Sequence, residues 1–248
     1  IVDLAEERST RLTLDEGDDF GAVWSPDGSR VLFMRTNEQG IGLWTKPVDG
    51  ATAERQLRPP SPRELLYPLS WSPDGERILL FSLPGGALPS GLWILPASGA
   101  GDPVRYTDSR GNGDIGWFSP DGRWVLFDAN EAKGLRTYLA RYPDTGSRWQ
   151  IPDEHATYSR WSKGGREIVY IMESTGQLTA LPVDLSGPSP RFGTPQPLFG
   201  LTPNSVHGES FDVSADGERI LAQLPVENAP PVPYTLILNW ERLLENKR

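Results

Sequence analysis

Eleven residues recur along this chain in nearly the same form. VWSPDGSRVLF at 23–33 is followed by SWSPDGERILL at 70–80 and WFSPDGRWVLF at 117–127, and two weaker copies come after them, RWSKGGREIVY at 160–170 and DVSADGERILA at 212–222. Aligning Trp24, Trp71, Phe118, Trp161 and Val213 gives spacings of 47, 47, 43 and 52 residues. A period of that size means that the unit of folding is one small supersecondary element used five times, each too small to bury its own apolar surface.

The grammar inside each unit is constant. A short apolar segment runs into Ser-Pro-Asp-Gly, where Pro presets φ for the first turn position and Gly takes the left-handed conformation that closes a hairpin. An alternating run follows, such as RVLFMR or RILLFS, whose period of two sends one set of side chains inward. A third segment carries an aromatic in IGLWTKP (41–47), SGLWILP (90–96) and RTYLARY (136–142), with QLTALPV (177–183) as its fourth form. A short fourth segment reads ERQL, PVRYT, SRWQI and QPLFG. Four short strands per unit of about 47 residues make a blade of a β-propeller. One four-stranded meander cannot cover both of its faces, so it stacks on its neighbours, and a closed ring leaves no face bare.

The expected fold is therefore all-β, a single propeller domain over 1–248, with repeats near 20–57, 67–107, 114–151, 157–200 and 209–240 plus 11–14. IVDLAEERSTRLTL reads as the third and fourth strands of a blade that lacks its first two, and the C-terminal stretch supplies SFDVS, RILAQLP and YTLILNW without a fourth. Residues 11–14 are expected to close the ring as that missing outer strand, giving five blades; six blades require an additional partner or an incomplete blade. The 26 glycines, 24 prolines and 9 tryptophans suit many tight turns with large rings filling the space between sheets.

Composition also narrows the partners. The net charge of −9 repels phosphate backbones and anionic membrane surfaces, which argues against nucleic acid and against direct membrane insertion. The absence of cysteine removes thiolate catalysis, cysteine-based zinc sites and disulfides together. No apolar run approaches the ~20 residues of a membrane span. No reactive-serine elbow is present either: HGESF at 207–211 lacks the second glycine and the strand-to-helix setting. No catalytic residue, metal site or cofactor is implied.

Two sets of polar residues remain as candidates. The motif aspartates Asp27, Asp74, Asp121 and Asp216, with Gly164 in the fourth copy, fall one per hairpin tip, where an Asp caps its own turn; their reading is structural. The functional candidate is the rim of loops ahead of each innermost strand. Six residues before the aligned position stand Asp18, Leu65, Asn112, His155 and His207, and four before it Phe20, Tyr67, Asp114, Thr157 and Glu209. The only two histidines thus share one offset in adjacent repeats. Asp18, Asp19, Tyr67, Asn112, Asp114, His155, His207 and Glu209 form the expected ligand-binding rim, acidic and rich in hydrogen-bonding groups, for a protein or small-molecule ligand. Trp44, Trp93 and Tyr138 are expected to pack between blades.

With the copies placed, the chain resembles bacterial TolB-type, WD-like β-propeller repeat proteins, whose hallmark W-S-P-D-G is matched in full at Trp24–Gly28 and Trp71–Gly75. More narrowly, DLAEERSTRLTLDEGDDFGAVWSPDG and YTLILNWERLL look like the propellers that follow the membrane span of bacterial serine/threonine protein kinases. That resemblance implies a non-enzymatic sensor or scaffold outside the cytoplasm, with one further repeat ahead of the first found here; a cytoplasmic location is the alternative. The chain itself carries no Gly-rich phosphate loop, H-R-D or D-F-G motif. Two other readings stay open: a hydrolase or lyase using the acidic and histidine rim, and the gating propeller of an oligopeptidase.

Overall fold

The computed structural model describes residues 1–3, 6, 8–50, 52–83, 85–106, 115–131, 134–143, 146–201, 211–214 and 216–222. Among them the chain is almost wholly β, with one 3-10 turn at Lys163–Gly165. After a two-stranded hairpin of β1 (Val2–Asp3) and β2 (Arg8–Ser9), four antiparallel sheets follow in sequence. The first blade is β3 (Asp18–Trp24), β4 (Arg30–Asn37), β5 (Gly40–Pro47) and β6 (Arg55–Ser61). The second is β7 (Leu66–Trp71), β8 (Arg77–Ser82), β9 (Gly91–Pro96) and β10 (Val104–Arg105). The third is β11 (Ile115–Phe118), β12 (Trp124–Glu131), β13 (Gly134–Arg141) and β14 (Arg148–Gln150).

The fourth blade holds β15 (Ala156–Ser162), β16 (Glu167–Met172) and β17 (Gln177–Asp184), and β17 pairs with both β18 (Arg191–Phe192) and β19 (Gln196–Gly200). β20 (Phe211–Val213) and β21 (Ile220–Ala222) are the opening hairpin of a fifth unit. Residues 11–14, expected as the closing strand, lie in no strand. The YTLILNW segment they were to join falls outside the described residues.

Each meander is the sequence unit drawn in space, because its alternation leaves two apolar faces per blade. The even face of β4, Leu32 and Met34, meets Trp71, Ile78, Leu80 and Trp93 of the second blade. Leu79 and Phe81 then meet Phe118, Val125 and Phe127 of the third, and Trp124 and Leu126 meet Trp161, Ile168 and Tyr170 of the fourth. Val169 and Ile171 meet Phe211 of the fifth unit. Every such side chain removed from water contributes about 1.5–3 kcal/mol, so the core is a series of inter-blade layers. The first strands touch in succession, β3 with β7, β7 with β11, β11 with β15 and β15 with β20, which puts them innermost.

The aligned aromatic shows the same stacking. Trp71, Phe118 and Trp161 are buried against the preceding blade, and Trp161 Nε1 donates to Trp117 O at 3.2 Å. Trp24 is 51% exposed; no four-stranded sheet precedes it among the described residues.

The hairpins add a second kind of contact. In the first three copies the Ser hydroxyl donates to the Asp carboxylate, at 2.6 Å for Ser25–Asp27, 2.5 Å for Ser72–Asp74 and 2.6 Å for Ser119–Asp121. The same hydroxyl oxygen accepts the N–H that opens the next strand, from Arg30, Arg77 and Trp124. The Asp accepts the N–H two residues on, from Ser29, Glu76 and Arg123, each at 3.0 Å. The fifth copy repeats this arrangement with Ser214 and Asp216. In the fourth, Gly164 replaces the Asp, and Lys163 Nζ reaches Glu167 at 2.7 Å.

Candidate functional site

Only part of the expected rim lies among the described residues. Asn112, Asp114, His207 and Glu209 fall outside them; Asp18, Asp19, Tyr67 and His155 fall inside. Asp18 opens β3 opposite Thr36 and is exposed. Tyr67 is half-buried and packs into the core layers on both sides of the second blade. Its ring lies against Gly21, whose φ is +64° and where an added Cβ would stand 3.2 Å from Tyr67 Cε2. That contact gives Tyr67 a packing role between the first two blades.

Asp19 is held by Arg35. The Arg35 Nε donates to Asp19 Oδ1 at 2.7 Å and Nη2 to Asp19 Oδ2 at 3.0 Å, while Glu54 accepts from Nη1 and Nη2 on the other side. Asp15 approaches at 3.4 Å. The guanidinium lies over Phe33 at 5.3 Å and near the Trp44 ring at 5.2 Å, its side chain 2% exposed. A planar, always charged fork suits this bidentate and stacked position better than an ammonium. The Asp19 carboxylate is therefore built into the first blade.

His155 sits on an exposed loop with a defined anchor. Its N–H donates to Asp153 Oδ1 at 3.0 Å, and the hydroxyl of buried Tyr170 donates to Asp153 Oδ2 at 3.0 Å. Burial and that carboxylate together push the Tyr170 phenol well above its usual range. Glu173 N–H donates to His155 O at 3.0 Å, tying the loop to the β16–β17 turn. Among the described residues no group of three or more His, Asp or Glu is close enough to hold a metal ion.

Just inside that loop lies a group the sequence reading passed over. Asp128 of β12 is fully buried, at a position where the other blades carry Met34, Phe81 and Ile171. Its Oδ1 accepts from Thr137 Oγ1 at 2.6 Å and Ser159 Oγ at 3.1 Å; its Oδ2 accepts from Tyr158 N at 2.6 Å and Ser159 N at 3.4 Å. Burial pushes the carboxyl above its ordinary value, with the hydroxyls and amides pulling the other way. Tyr158 is left-handed, φ +55°, within a bulge of β15 between Thr157 and Arg160. The signal in the sequence was the acid that interrupts the apolar run WVLFDAN.

The hairpin aspartates are electrostatically settled. The Ser25 hydroxyl, then the Ser29 N–H and hydroxyl, lower the Asp27 carboxyl from 3.8 to about 2. Asp74 is lowered chiefly by Ser72, and Asp216 chiefly by Ser214. Carboxylates bound this closely to their own turns are hairpin parts.

Solved structures place this architecture among known ones. TolB from Acinetobacter baumannii superposes with a TM-score of 0.71 over 92% of this chain and 54% of its own, at 16% identity. The Cps50 (Swd1) β-propeller domain of Myceliophteria thermophila superposes with a TM-score of 0.54 over 89% of this chain and 72% of its own, at 15% identity. The fold is a β-propeller. An oligogalacturonate lyase in complex with manganese shares it, with a TM-score of 0.60 over 90% of this chain and 67% of its own, at 14% identity. This chain thus spans about half the length of that TolB chain and two-thirds of the lyase's. No protein-family profile matches the chain, and no curated protein matches it in sequence.

Proposed function

We propose that this propeller is a non-enzymatic interaction module, the sensor or scaffold portion of a membrane-anchored bacterial serine/threonine kinase, working outside the cytoplasm and binding a protein or small-molecule ligand at its loop rim. The observation that carries this reading is how the described acids are used. Asp19 is clamped by Arg35, Asp128 by the β15 bulge, and each motif Asp by its own hairpin. Charges committed to the blades' own strands, hairpins and one junction leave a frame that presents loops, such as the anchored 153–155 segment, to a partner.

The test has two arms. In the parent protein, deleting the propeller is expected to change how kinase autophosphorylation responds to extracellular medium, while the purified propeller leaves oligogalacturonate and proline-containing peptides intact. Turnover of either substrate that disappears in His155→Ala would overturn the reading in favour of a rim enzyme. A coding sequence upstream of Ile1 without a kinase domain would overturn the kinase assignment.

A further inference from the structure

We infer that Asp128 is a proton-operated latch between the third and fourth blades, with two hydrogen-bond arrangements that differ in where the Thr137 hydroxyl points. The inference rests on this junction's geometry and is independent of the binding-module reading. In the first blade the equivalent bulge uses Gly21 at φ +64° beside Met34. At the same place β15 carries Tyr158 at φ +55°, a conformation strained for a residue with a side chain. What holds it is the Asp128 carboxylate, which reaches across from β12 and takes the N–H groups of both Tyr158 and Ser159.

Ionised, Asp128 has four donors around its two oxygens, so every position is filled without an added hydrogen. A proton on Oδ1 introduces a fifth hydrogen, and one hydroxyl must turn away. Thr137 has a second acceptor ready, since its Oγ1 lies 3.1 Å from Ala156 O. Protonation therefore turns the Thr137 hydrogen from Asp128 to Ala156 O and lets Oδ1–H donate to the Thr137 oxygen. The amide bonds at Oδ2 then lose the strength that a charged acceptor gives them. Ala156 directly follows His155, so the change is delivered to the loop that precedes β15.

The residues paired with Asp128 on β11 and β13, Ile115 and Thr137, carry no charge. From β15 the Tyr158 side chain packs into the layer against Val169, Ile171 and Phe211, and its phenol is raised first by burial and then by the Asp128 and Glu173 charges. Arg160, further along β15, lies over Trp117 at 3.8 Å and reaches Asp212 at 3.3 Å. A carboxyl raised by burial adds to stability below its unfolded value of 3.8 and loses that contribution as pH rises through the folded value. The latch thus closes on the bulge at a cost in overall stability as pH increases.

The test is an NMR titration of the whole chain through the acid and neutral range, following the Tyr158, Ser159, Ala156 and Thr157 amides. One shared midpoint above 3.8 is expected. It should vanish in Asp128→Asn and move upward in Thr137→Val, which loses a donor to the ionised form. Flat amide shifts, a midpoint at or below 3.8, or persistence of the same transition in Asp128→Asn would overturn the latch. Should Asp128→Asn fail to fold, an unmoved midpoint in Thr137→Val would overturn it equally.

Discussion

Gly122 of the third blade lies directly against Pro73 of the second: a Cβ built on Gly122 would stand 3.2 Å from Pro73 Cγ. The same contact joins Gly75 to Pro26 at 3.8 Å and Gly165 to Pro120 Cδ at 3.3 Å. In these three pairs the Pro of one motif and the Gly of the next serve twice, shaping their own turns and packing one hairpin onto the other. This is a physical reason for repeating the motif that turn geometry alone does not supply.

Two glycine substitutions separate those roles. Gly28→Ala meets nothing within 4 Å and carries only the left-handed penalty, φ +68°, expected at about 1–2 kcal/mol. Gly122→Ala has nearly the same φ, +71°, and adds the Pro73 contact. Urea unfolding should place Gly122→Ala below Gly28→Ala by a further ~1 kcal/mol, the lower end of overpacking costs.

Removing the Arg35 guanidinium would leave Asp15, Asp19 and Glu54 facing one another around a cavity. Arg35→Ala is expected to cost about 3–5 kcal/mol, as for one partner of a buried ion pair. Arg35→Met, which removes the guanidinium but keeps most of the buried apolar stem, should lose less. Thermal unfolding of both variants reads the order, and equal losses would show that burial of the apolar stem contributes nothing.

The architecture was legible in the sequence because the apolar alternation and the turn residues repeat together, so five weak signals point to one unit. Site residues were less legible, since partners come from neighbouring strands. Nothing in DDFG announces that Asp19 will meet Arg35, 16 residues away and across a hairpin. Asp128 was visible only as an acid in an apolar run, and its donors Thr137 and Ser159 belong to different blades. The motif serine is a similar case: its hydroxyl links the Asp to the next strand, a role that Pro and Gly conceal.

Acid sensitivity should track the hairpins. Asp27 is lowered from 3.8 to about 2, so the stability it contributes is present above 3.8 and is lost as pH falls towards 2. Asp27→Asn should flatten the acid limb of a denaturant midpoint plotted against pH across that window. Ser25→Ala, which removes the largest lowering influence, should shorten the limb by raising its lower end towards 3.8.

Consecutive repeats stack in chain order, their first strands touching in succession. Thr137 Oγ1 and Ser159 Oγ meet at 3.0 Å across the third and fourth blades, and the chain has no cysteine of its own. Oxidising Thr137→Cys with Ser159→Cys should form one intramolecular disulfide, seen as a mass loss of two hydrogens in a monomer of faster non-reducing mobility. Free thiols after oxidation of the folded chain, or dimers alone, would contradict the stacking.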